Sequence, residues 1–83
     1  MHEWGITQDL LSEVQKRVAE NRLGKVTLIR IDLGTRAGLS AAALKTCFSA
    51  LTRDTILDQT RLQIKKTPGA AIVIKTITGS RAE

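Results

Sequence analysis

Three residues at the start of the chain, Met1, His2 and Glu3, bring together donor types that suit one kind of metal ion. A free α-amine, the amide nitrogen of His2 and the His2 imidazole can close fused chelate rings around one cation. The near-planar nitrogen set that results is favoured by nickel(II) or copper(II). Glu3 or its backbone can complete the plane. An amide nitrogen coordinates only after losing its proton, so affinity at such a site should rise with pH. Any chain with a histidine beside its amine chelates weakly in this way, so the residues by themselves leave a functional site and an incidental one both open.

Other chemistry finds less support. Cys47 falls on an apolar helical stripe and the single histidine is at position 2, so a cysteine–histidine nucleophile pair would need the terminus to fold over that helix. An inert buried thiol is the simpler expectation. One cysteine and one histidine cannot supply the four ligands of a structural zinc site, so no structural zinc is expected, and no disulfide can form within the chain. No nucleophile elbow, Walker loop or dinucleotide fingerprint is present, and Gly34 and Gly38 read as loop glycines. The protein is therefore not expected to be an enzyme.

These residues need elements to hold them. Apolar positions at Ile6, Leu10, Leu11, Val14 and Val18 follow helical spacing and predict a helix from about Ile6 to Arg22. Thr7 or Gly5 precedes its first turn, and Asn21, Arg22 and Gly24 supply stop signals. Lys25 to Leu33 is β-branched and alternates Ile29, Ile31 and Leu33 against Arg30 and Asp32, a strand with one wet face. After a loop, Ser40 can cap a second helix with Leu44, Cys47, Phe48 and Leu51 facing the core. Arg61 to Lys65 and Ala71 to Thr78 alternate as two further strands, expected to pair as an antiparallel hairpin across Pro68-Gly69. Residues from Gly79 to Glu83 should fray. The expected fold is α/β (α+β): a two-layer sandwich in the order α-β-α-β-β, with two helices on one face of a three-stranded sheet. Trp4 is expected to pack over the start of the first helix.

At 83 residues the chain has room for one core, which excludes most large enzyme folds. Aromatics make up 2% of the residues, so that core must be aliphatic. Folding buries roughly 60–65% of the unfolded surface at this length, a thin margin to which a homodimer or a bound ligand would add. Thirteen basic against eight acidic residues give a formal charge of +5, which suits an acidic partner or nucleic acid. Arg30, Arg61, Lys65, Lys66 and Lys75 fall on the strands, but with Trp4 and Phe48 as the only aromatics there is no stacking platform there. A solvated face is thus a more economical account than nucleic-acid binding. The first residues do not read as a secretory signal, and no apolar run approaches the roughly 20 residues that span a bilayer. A reducing, cytoplasmic setting without a membrane partner is expected.

Met1-His2-Glu3-Trp4, continued by Ile6-Thr7-Gln8, resembles the start of the HypA/HybF family of nickel metallochaperones. Further similarity runs in order through Arg30-Ile31-Asp32-Leu33-Gly34, Gly38, Ala43-Leu44, Phe48, Leu51 to Thr55 and Leu62-Gln63-Ile64 to Pro68-Gly69. The resemblance implies a cytoplasmic Ni(II) carrier serving NiFe hydrogenase or urease maturation, with Met1, His2 and Glu3 as the metal residues. The partners it implies are a HypB-like GTPase and the hydrogenase large-subunit precursor. In that family a zinc lobe with two C-x-x-C pairs follows the Pro-Gly position. Here both pairs are absent and Ile72 to Ile77 resembles the returning strand, so residues 1–83 are expected to be a single nickel domain with the lobe missing between about 68 and 71. Family members often have acidic residues near Ser40 and at Ala42. The rival account is a non-metal interaction module that keeps the fold and binds an acidic partner through Arg30, Arg61, Lys65 and Lys66.

Overall fold

The computed structural model describes residues 3–82. Five elements follow in the expected order: α1 (Glu3–Glu20), β1 (Leu23–Gly34), α2 (Ala41–Thr52), β2 (Arg61–Thr67) and β3 (Ile72–Arg81). Both helices cover one face of a mixed three-stranded sheet. The core between the layers is formed by Leu10, Leu11, Val14 and Val18 of α1, Val26, Ile29 and Ile31 of β1, Leu44 and Phe48 of α2, Ile74 of β3, and Leu57 from the link before β2. It is aliphatic apart from Phe48, as the composition requires.

The helix boundaries follow from local chemistry. Helix α1 begins at Glu3, three residues earlier than apolar periodicity alone indicates, and takes Gly5 into its first turns. An acidic residue in the first turn suits the positive end of the helix dipole. The fully buried Thr7 donates its hydroxyl to the Glu3 carbonyl at 2.7 Å. At the other end Asn21 Nδ2 donates to the Arg17 carbonyl at 2.8 Å, and Arg22, with φ +55°, turns the chain into β1. Ser40 caps α2 as expected: its backbone is extended and its Oγ accepts from Ala43 N at 3.0 Å.

The sheet order is β2-β1-β3, with β1 parallel to β2 and antiparallel to β3. The expected β2–β3 hairpin does not form. β1 is the longest strand and carries Val26, Ile29, Ile31 and Leu33 into the interior, so it takes the centre and both later strands pair with it. The β1–α2–β2 passage is a crossover between parallel strands. Residues 68–71 then cross the end of β1, bonded to it by Gly34 N to the Ala71 carbonyl, Thr35 N to the Thr67 carbonyl and Arg36 N to the Gly69 carbonyl, each 2.8 Å. Strand β3 runs to Arg81 instead of fraying from Gly79, because it pairs with the start of β1 and Ala82 N bonds the Arg22 carbonyl at 2.8 Å. Glu83 lies outside the described residues.

Candidate functional site

Of the three residues singled out for metal binding, Met1 and His2 lie outside the described residues, and Glu3 opens α1. Glu3 lines a cleft of about 520 Å³ together with Leu33, Gly34 and Thr35 from the end of β1, Gly38, Leu39, Ser40 and Ala41 from the entry to α2, and Lys66 from β2. Burial explains how these segments meet. The Thr7, Leu10, Leu11 and Val14 stripe seats α1 on the sheet, which sets its first turn over the C-terminal end of β1. Gly38, at φ +98°, has the left-handed conformation that favours glycine; a Cβ there would stand 3.6 Å from Ile6 Cδ1, so α1 passes close to the loop.

Two helix N-termini, at Glu3 and at Ser40-Ala41, stand at the cleft with their positive dipole ends, and it is lined by one residue of each charge, Glu3 and Lys66. Ser40 lines the cleft, and its Oγ is engaged as the α2 cap. Among the described residues, no three His, Cys, Asp or Glu side chains converge into a cation cage.

Lys66, read from sequence as part of a basic stripe, is opposite Leu33 and belongs to the helix side of the sheet. Arg30, Arg61 and Lys65 share the other face, where Lys75 reaches Asp32 at 3.9 Å. Trp4 is 48% exposed and does not pack down as expected: its i+3 and i+7 spacing puts it on the Thr7 and Leu11 face of α1, but it stands in the first turn, ahead of the first buried residue, Thr7. Cys47 is buried, as its place on the α2 stripe predicts. Sequence reasoning missed Thr35, Leu39 and Lys66 as cleft residues. For Lys66 the signal was available, since neighbouring strand residues point to opposite faces.

This geometry defines a small two-layer α/β domain with a cleft at the paired helix N-termini. The same fold is found in the solution structure of the Ni metallochaperone HypA from Helicobacter pylori, with a TM-score of 0.84 and 11% identity, covering 99% of this chain and 100% of that one. A second solution structure, of HypA protein, matches with a TM-score of 0.64 at 15% identity over 100% of this chain and 72% of that one. The family model described as hydrogenase/urease nickel incorporation, metallochaperone, hypA matches residues 1–73, and the chain belongs to that family. Hydrogenase maturation factor HypA of Geobacter metallireducens is 39% identical over 69 residues, covering 83% of this chain and 60% of that protein. The Albidiferax ferrireducens factor of the same name is 31% identical over 71 residues, 86% of this chain and 63% of that protein. The chain thus spans about three fifths of the length of these relatives. No helix among the described residues is long and apolar enough to cross a membrane.

Proposed function

We propose that this protein carries Ni(II) for insertion into NiFe hydrogenase or urease, holding the ion through the Met1 amine, the backbone nitrogens of His2 and Glu3, and the His2 imidazole. The observation that carries the proposal is a family match that begins at residue 1 and so includes these three positions. The cleft adds a physical reason for nitrogen rather than carboxylate coordination. Helix N-termini oppose a bare dication, whereas deprotonated amide nitrogens are anions that they stabilise. Delivery rather than catalysis is in keeping with the family's description as a nickel-incorporation metallochaperone. In this reading the chain is one nickel domain from which the zinc lobe is missing between 68 and 71, it works in the cytoplasm, and its partners are a HypB-like GTPase and the hydrogenase large-subunit precursor.

Titration of the protein, with its Met1 amine free, against Ni(II) should give one ion per chain and the absorption spectrum of planar four-coordinate nickel. The apparent affinity should rise with pH, because each coordinated amide releases a proton. His2→Ala should abolish the planar spectrum. Equal binding by that variant, or an octahedral spectrum, would refute the proposed site.

A further inference from the structure

The sheet has a face that the helices do not cover. The molecule is 17 Å across its shortest extent, enough for one helix layer on one sheet and no third layer. Residues paired across a sheet share a face, so the register assigns that surface: Arg61, Leu28 and Thr78 form one row, Gln63, Arg30 and Thr76 the next, and Lys65, Asp32 and Val73 the third. Lys75 is an extra residue of β3 at a register shift beside Arg30, and its amine turns onto the same face toward Asp32. The surface is concave near its centre, where Arg30, Asp32, Gln63, Lys65 and Lys75 border a hollow of about 430 Å³.

Four cations therefore stand against one carboxylate, on all three strands. Asp32 neutralises little of this charge, since its ion pair to Lys75 is long, at 3.9 Å. Arg30 occupies the central strand with its planar fork available, the geometry that takes a carboxylate bidentately. Val73, 45% exposed at the rim, adds an apolar contact.

We infer that this helix-free face is a docking surface for a protein segment carrying clustered carboxylates. Charge complementarity selects the occupant. Neither of the chain's aromatics lies on these strands, so bases have nothing to stack on, and Asp32 in the middle of the face opposes a continuous run of phosphates. The patch is small, roughly 10 Å across three strands and about 13 Å along them, well below a standard interface. Docking is accordingly weak, fast and sensitive to salt. It leaves the Glu3 cleft free on the helix side, so a partner can be held while the cleft stays open. The inference rests on the sheet face alone and stands or falls independently of nickel.

Fluorescence anisotropy with a labelled peptide of eight alternating Glu and Asp residues, in metal-free buffer, tests it on the full chain. Binding should be measurable at low salt and weaken on raising NaCl fourfold. Arg30→Glu and Lys65→Glu should each weaken it about tenfold, Arg30→Lys should restore only part of the loss, and Lys66→Glu, with the same net charge change on the other side of the sheet, should have little effect. Arg30 and Lys65 are exposed, so these variants should keep the parent's circular dichroism; Lys65→Glu on the edge strand remains a test should Arg30→Glu not fold. The inference is overturned if Lys66→Glu weakens binding as much as Lys65→Glu, which would reduce the effect to net charge, or if the peptide does not bind. It is also overturned if a single-stranded RNA of equal charge binds more tightly through the same residues.

Discussion

Ser40 and Lys66 show how single side chains set what the cleft can hold. Ser40 spends its hydroxyl on Ala43 N, so Ser40→Ala should remove a cap and cost about 1 kcal/mol, read as a fall in melting temperature of about 6 °C. Ser40→Asp keeps an acceptor for the same amide and brings a carboxylate to the rim beside Glu3. Its melting temperature should match that of the parent while Ni(II) binds more tightly, and unchanged nickel affinity would show that the rim does not face the ion. Lys66 adds a cation to the same rim, but two deprotonated amides neutralise Ni(II), so Lys66→Ala should change the nickel association constant less than about twofold at low salt; a several-fold rise would indicate that the ion is held without amide deprotonation. Ser40's capping role was legible in the sequence, because a serine before an apolar helical run has one local use. The cleft was not: it depends on which end of the sheet α1 covers, and a helical period does not carry that information.

At the level of elements, the strands were recognisable and their order was not. Alternation such as Leu62 and Ile64 against Gln63 and Lys65 tells which residues face the core, yet it is silent on which strand lies alongside, so a short link around Pro68-Gly69 suggested a hairpin that the central position of β1 excludes. The crossing over β1 rests on Gly34. A Cβ at that position would press on the Gly69 carbonyl oxygen and stand 2.8 Å from the Ala71 carbonyl oxygen, both backbone atoms with little freedom to move. Gly34→Ala should therefore cost about 3 kcal/mol in urea unfolding, with a loss under 1 kcal/mol showing that the crossing can shift. The outer edge of β3 carries a device against pairing with other strands. Arg17, whose Nε is salt-bridged to Glu13 at 3.2 Å, donates through Nη1 to the Ile74 carbonyl at 3.3 Å. Both partners are well exposed, so the ion pair itself adds little stability. Arg17→Ala should leave the melting temperature within about 2 °C of the parent but produce concentration-dependent association in sedimentation velocity. A variant that stays monomeric at every concentration would show that the edge needs no guard.

For the whole molecule, the β2–β3 connection is the place where the proposed reading has a lobe missing, and its geometry tests whether a lobe could enter there. β2 and β3 flank β1, so their ends stand about 10 Å apart, two strand spacings, and the four residues 68–71 suffice to span them. A lobe entering here would leave from one edge strand and return to the other, with the helix-covered core untouched. The bonds from Gly34, Thr35 and Arg36 end on Ala71, Thr67 and Gly69, which an insertion between Gly69 and Ala70 keeps on their own sides of the break. Lengthening a four-residue link by about 40 flexible residues costs about 2 kcal/mol of closure entropy. A Gly/Ser insert of that size at this position should therefore preserve the circular dichroism spectrum and a single cooperative melt, lowered by about 10 °C. The same insert between Lys65 and Lys66 breaks β2 while it is paired with β1 and should unfold the chain. Loss of cooperative melting with the Gly69–Ala70 insert would mean that the tight crossing is itself a structural requirement, and that this domain could not have been obtained by removing a lobe at that point.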